Sequence, residues 1–148
     1  MDDLVQFFQF FRACLDEDER IASATVPGPW EWTPEGDQWG DCGPSLVQCL
    51  GGEEVDVLSA WGHDAWGMSV ADGAAEHIAR HDPARVLAEV DVKRQVLDRY
   101  EEQACLLANH MGGILTKYLV EELLRTVRLL ALPYADRPGY LDKWRPAA

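Results

Sequence analysis

The pattern of hydrophobic and polar positions predicts a long helix at the start of the chain, over residues 1–25. Apolar residues recur at the i, i+4, i+7, i+11 spacing of one helix face: Leu4, Phe8, Phe11 and Leu15. Phe7 and Phe10 widen this face beyond a single stripe. A face this wide is typical of a helix buried on two sides, or of one that covers a partner subunit. Core packing is the preferred interpretation, and Phe7, Phe10 and Phe11 are the candidate interaction residues under the other.

A change to alternating periodicity predicts a small antiparallel sheet over residues 30–61. Trp30–Thr33 alternates large apolar with polar residues, as a half-buried strand does. Ser45–Leu50 is the second candidate strand, and Val55–Trp61 is the third. Gly51-Gly52 is a turn signal between them. Three strands are near the lower limit for a stable sheet, so we expect this sheet to pack against helices.

The second half of the chain, residues 72–132, returns to helical periodicity. Asp72 is a candidate N-cap for a short helix that runs to about His81. Asp82 and Pro83 then form a corner, because Pro83 suits the first helical position and Asp82 caps it. The long helix that follows is broken at Gly112-Gly113. The last helix carries apolar residues at helical spacing, with Val120, Leu124 and Ala131 beside them: Leu115, Leu119, Leu123, Val127 and Leu130. Two helices with so short a connection predict a helical hairpin.

The last segment, residues 133–148, is predicted to be an extended tail. Pro133, Pro138 and Pro146 oppose helix there. The tail carries three spaced aromatic residues: Tyr134, Tyr140 and Trp144. Such a tail either lies back on its own domain or reaches a neighbouring subunit, so Tyr140 and Trp144 join the candidate interaction residues. The whole chain, 1–148, is predicted to be a single α+β domain, which its length of 148 residues permits.

Charge and composition narrow the classes of function. The net charge of −13 argues against a protein that binds nucleic acid directly or docks on an anionic membrane. It permits a basic protein partner, or imitation of nucleic acid, although a strongly charged surface often serves solubility alone. No apolar run is long enough to span a bilayer, and the acidic start lacks the basic region of a signal peptide. We therefore expect a cytoplasmic protein with free thiols at Cys14, Cys42, Cys49 and Cys105.

The histidines supply the main candidate for chemistry. His77 and His81 are four residues apart, so on a helix both imidazoles point the same way, as two ligands of one metal ion must. Asp82 could add an oxygen ligand, and folding could bring in His63. The pattern lacks the glutamate that the zincin motif requires after its first histidine. The alternative is structural: the two histidines occupy a last helical turn and complement the helix dipole. A histidine–aspartate phosphohydrolase and a cysteine nucleophile are two further hypotheses, and neither has a complete residue set in this sequence.

Three blocks of the chain resemble a family of small, cytoplasmic, uncharacterised proteins of actinobacteria and their phages. The blocks are Leu15–Glu19, His77–Leu87 with the corner at Asp82-Pro83, and Leu129–Asp136 with the aromatic and proline residues that follow. The resemblance covers the whole chain in order and implies no established activity. Relatives with a cysteine-rich insert suggest zinc, but here the same region holds only Cys105 and His110, which argues against a structural zinc.

These observations leave three hypotheses of function. The first is a non-enzymatic interaction or regulatory protein that acts through helical surfaces and self-associates as a homodimer, with no cofactor. The second is a hydrolase that uses zinc or another divalent metal held by His77, His81, Asp82 and His63. The third is an acidic inhibitor, related to phages or mobile elements, of a basic nucleic-acid-binding partner. The absence of a complete catalytic set favours the first.

Overall fold

The computed structural model describes residues 2–33, 45–50, 53–59 and 73–146. Its helices are α1 (Asp2–Ser23), α2 (Ala74–Arg80), α3 (Pro83–Ala108) and α4 (Ile114–Leu130), and its strands are β1 (Trp30–Thr33), β2 (Ser45–Leu50) and β3 (Glu53–Ser59). This confirms the predicted α+β class with its long first helix and three-stranded antiparallel sheet. The chain divides into two compact units, one formed by Met1–Asp18 with Glu89–Ala148 and the other by Glu19–Ala88. No helix in these described ranges is long and apolar enough to cross a membrane.

The sheet lies in the unit formed by Glu19–Ala88. Its strand order is β1-β2-β3, and both pairs are antiparallel. A register shift beside Leu46 and Val47 leaves one residue of β3 unpaired, as in a β-bulge. Leu46, Val47 and Gln48 are all buried, although neighbouring residues of a strand point to opposite faces. The central strand is therefore covered on both faces here, and α2 lies against β1.

The core of the other unit is built from α1, α3, α4 and the C-terminal tail. Phe7, Phe11 and Leu15 of α1 are fully buried, as are Val127 of α4 and Trp144 of the tail. Burying a side chain of this size stabilises a fold by about 1.5–3 kcal/mol, so this group is a large part of the unit's stability. Burial of Phe7, Phe11 and Leu15 supports core packing for this part of the wide apolar face of α1.

The tail departs from the extended conformation that its prolines suggested. Leu132–Tyr134 and Asp142–Trp144 are short 3-10 helices, and hydrogen-bonded turns connect them. Pro133 stands in the first turn of its 3-10 helix, where its missing N–H costs nothing. The prolines therefore exclude a longer helix without forcing the backbone to be extended.

The end of α3 also differs from the prediction. His110 has a positive φ of 56°, its N–H bonds to the carbonyl of Leu107, and the N–H of Met111 bonds to that of Leu106. These two bonds form a Schellman motif with His110 at the position that glycine usually fills. The helix thus ends at Ala108, before Gly112-Gly113, the predicted break.

Candidate interaction surface

The predicted corner at Asp82 and Pro83 exists and has a clear structural role. Asp82 Oδ1 accepts a hydrogen bond from the backbone N–H of Arg85 at 2.8 Å, which makes Asp82 the N-cap of α3. Its second oxygen, Oδ2, accepts from the backbone N–H of Trp30 at 3.2 Å. Asp82 and Pro83 are both buried. One carboxylate therefore joins the start of α3 to the start of β1.

Close packing around the Asp82 carboxylate explains why residue 28 is a glycine. A Cβ atom placed on Gly28 would lie 2.7 Å from Asp82 Cγ, well inside van der Waals contact. Trp30 is also fixed by its side chain, because its indole Nε1 donates to the carbonyl of Val26 at 3.0 Å. Glycine is thus the residue that lets the chain pass beside Asp82.

The histidines of the metal hypothesis lie beside this corner and are exposed. The rings of His77 and His81 are 4.2 Å apart, and His81 Nδ1 donates to the backbone carbonyl of His77 at 2.8 Å. Both sit in the last turn of α2 or directly after it. Asp82, the proposed oxygen ligand, already uses both oxygens on backbone N–H groups. His63, like the predicted cap Asp72, lies outside the described residues; Gly73 stands at the N-cap of α2.

Three of the five candidate interaction residues are buried in the chain's own core. Phe7 is 1% exposed, Phe11 0% and Trp144 1%, so these rings have no surface to offer a partner. Phe10 and Tyr140 are partly exposed, and their rings meet edge to face at 5.7 Å. The tail thus lies on α1 of its own chain, which is the first of the two arrangements considered.

Polar contacts hold the tail at both ends of α1. Near the start, Asp3 Oδ1 accepts from the indole of Trp144 at 3.0 Å and pairs with Lys143 at 2.6 Å. These two donors hold the pKa of the Asp3 carboxyl below its ordinary value. The contacts fix the packing of the aromatic rings from the edge of the core.

At the other end of α1, Asp18 accepts two hydrogen bonds from the tail. Tyr134 Oη donates to it at 2.7 Å and Arg137 at 2.6 Å, while Lys93 donates to the same Tyr134 oxygen at 3.1 Å. Burial, followed by the hydrogen bond to Asp18, raises the pKa of Tyr134. Burial also raises the pKa of the Cys14 thiol nearby, which opposes a reactive thiolate. These polar side chains bond to one another, so we interpret the cluster as structural.

The most exposed apolar side chains lie elsewhere, at the start of α4. We define the apolar α4 surface as Met111, Ile114, Leu115, Tyr118 and Leu119. Met111 is 76% exposed, Ile114 70% and Leu115 79%. Tyr118 and Leu119 are 59% and 39% exposed. The four helical members are at i, i+1, i+4 and i+5, so they share one side of the helix.

This surface divides the apolar residues that recur at helical spacing along the last helix. Leu115 and Val127 both belong to the apolar spacing of this helix, but Val127 is fully buried and Leu115 is exposed. They are separated by three steps of four residues, and each step turns about 40° around the axis of a helix with 3.6 residues per turn. The two side chains therefore point about 120° apart. Ile114 and Tyr118 lie outside the spacing that Leu115 and Val127 share, so the sequence did show apolar residues on a second side of this helix.

The fold and the surface define a small α+β protein whose most accessible feature is an apolar helix face. Groups of three or more metal-ligating side chains do not occur among the described residues. The chain belongs to the family of unknown function DUF6221, whose family model matches residues 1–146. Comparison with curated proteins and with solved structures finds no match.

Proposed function

We propose that this chain is a non-enzymatic interaction protein of the cytoplasm that forms a homodimer through the apolar α4 surface. The observation that carries the proposal is the exposure of large apolar side chains on one side of α4, with Leu115 at 79%. Apolar surface of this kind is costly to leave in water, and covering it is the main source of free energy in protein association. The origin in actinobacteria or their phages, which the resemblance implies, stays a prediction.

The size of the surface supports a protein partner. Its five residues are 39–79% exposed and lie together at the start of α4, and monomeric proteins rarely leave a large contiguous apolar patch uncovered. Tyr118 adds an aromatic ring with a polar tip, the kind of side chain that is enriched at interfaces. A surface of this size suits a protein better than a small molecule, because it is a convex helix face and not a cleft.

The chemistry of the surface favours a second copy over a basic partner. A basic partner would be recognised through carboxylates, whereas these five positions carry none. Two acidic chains repel each other at long range, but apolar contact is short-range and is little affected by screened surface charge. The surface therefore supports self-association, and the described residues offer the acidic-inhibitor hypothesis no comparable contact.

Sedimentation equilibrium of the purified protein tests the proposal. We expect the wild type to be dimeric at micromolar concentration, and Leu115→Glu to be monomeric, because it places a charge on each side of the interface. The matched control is Val92→Glu, which introduces the same charge on α3 at a valine that is 57% exposed. The control should stay dimeric.

Fold integrity is checked by far-UV circular dichroism of both variants. A wild type that remains monomeric up to hundreds of micromolar would refute the proposed homodimer. A dimer that withstands Leu115→Glu would show that another surface joins the two copies.

A further inference from the structure

We infer that the second copy docks on α4 in the antiparallel direction, along a stripe that continues from the apolar α4 surface toward the end of the helix. The stripe, called the α4 seam, consists of Tyr118, Glu122, Arg125 and Leu129. This inference rests on the proposed homodimer and adds the direction and register of the contact.

Helix geometry defines the seam. Its members follow each other at spacings of four, three and four residues, so their side chains stay within about 60° of one another around the helix axis. This alternation is the spacing of the contact positions of a coiled coil. All four residues are exposed, with Leu129 at 50%. The seam thus runs along the outer side of α4, opposite the fully buried Val127.

The charges in the seam are self-complementary in one direction only. In an antiparallel pair, Glu122 faces Arg125 of the partner subunit, and Arg125 faces the partner subunit's Glu122. In the same register Tyr118 faces Leu129 of the partner subunit, so apolar contacts flank the ion pairs. A two-fold axis makes every contact occur twice, as an isologous interface requires. A parallel pair in register would oppose Glu122 to Glu122 and Arg125 to Arg125, which is unfavourable.

Neither Glu122 nor Arg125 forms an ion pair elsewhere in the described part of the chain. The ion pairs found among residues 2–33, 45–50, 53–59 and 73–146 use other side chains. Thr126 Oγ1 bonds only to the backbone carbonyl of Glu122, which leaves the Glu122 carboxylate available. The two side chains can therefore turn toward a partner without breaking an existing pair.

Charge reversal tests the seam. Glu122→Arg and Arg125→Glu each replace two attractive contacts with two repulsive ones, and we expect the dimer Kd to rise about 10- to 100-fold in each single variant. The double variant Glu122→Arg/Arg125→Glu restores opposite charges across the axis, and its Kd should return to within about threefold of the wild type. Asp98→Arg, an exposed reversal on α3, is the control and should leave Kd unchanged.

The outcomes separate this inference from the proposed homodimer. A weaker dimer in both single variants with recovery in the double variant supports the antiparallel seam. In a parallel pair, like charges would face each other in the wild type and in every variant. If the singles leave Kd unchanged, or the double stays as weak as the singles, while Leu115→Glu still dissociates the dimer, the seam is wrong and the homodimer stands. A monomeric wild type removes both. Circular dichroism and urea midpoints of each variant exclude unfolding as the cause.

Discussion

Replacing Asp82 with alanine tests the role assigned to the corner. The change removes the N-cap of α3, which costs about 1 kcal/mol, and leaves the half-buried N–H of Trp30 without its acceptor, which costs about 1–3 kcal/mol. Because Trp30 retains some access to water, the lower part of that range applies, and we expect a loss of about 2–3 kcal/mol in the free energy of unfolding.

The substitution Asp82→Asn separates the two contributions. Its remaining oxygen can still cap α3, whereas its amide nitrogen cannot accept from Trp30, so we expect a loss of about 1 kcal/mol. Urea unfolding at pH 7, followed by far-UV circular dichroism, measures both variants, and Asp98→Ala is the exposed control, expected within about 0.5 kcal/mol of the wild type. A loss below about 0.5 kcal/mol for Asp82→Ala would refute the cap and the link to β1.

Three other predictions concern single positions. Gly28→Ala should destabilise the fold by about 1–3 kcal/mol, and most of that loss should vanish in the Asp82→Ala background, where urea unfolding of the four proteins measures the coupling. His110→Gly should stabilise the fold by about 1 kcal/mol, because glycine accepts a positive φ without strain, whereas His110→Ala should not; equal midpoints for all three proteins would contradict the Schellman assignment. Tyr134→Phe should cost about 1–2 kcal/mol at pH 7 through its lost hydrogen bonds. Since the folded pKa of Tyr134 is raised, its contribution is present below the unfolded value of 10.0 and is lost as pH rises above it, so the variant's urea midpoint should fall less steeply there.

The corner shows what local rules can predict. Proline restricts its own φ and the residue before it, and aspartate is a strong N-cap, so Asp82-Pro83 predicted the start of α3 correctly. The second bond of Asp82, to Trp30, could not be predicted, because the two residues are far apart in the chain and meet only through folding. Because the sequence does not show that bond, it allows the Asp82 carboxylate to be interpreted as a metal ligand.

Hydrophobic periodicity could not predict the candidate site, the apolar α4 surface, for a different reason. An apolar residue at helical spacing is expected to be buried, and Leu115 satisfied that expectation as well as Val127 did. Which side of α4 meets the core depends on the elements that pack on it. Only their placement shows that Val127 is covered and Leu115 is exposed.

The sequence by itself determined the class of fold, because helix and strand periodicities are local and their boundaries are marked by Pro, Gly and capping residues. It also determined the aromatic character of α1 and of the tail. The tertiary structure alone decided that Phe7, Phe11 and Trp144 are core and that the start of α4 is the exposed apolar face. Burial depends on contacts between distant segments, and no local pattern contains that information.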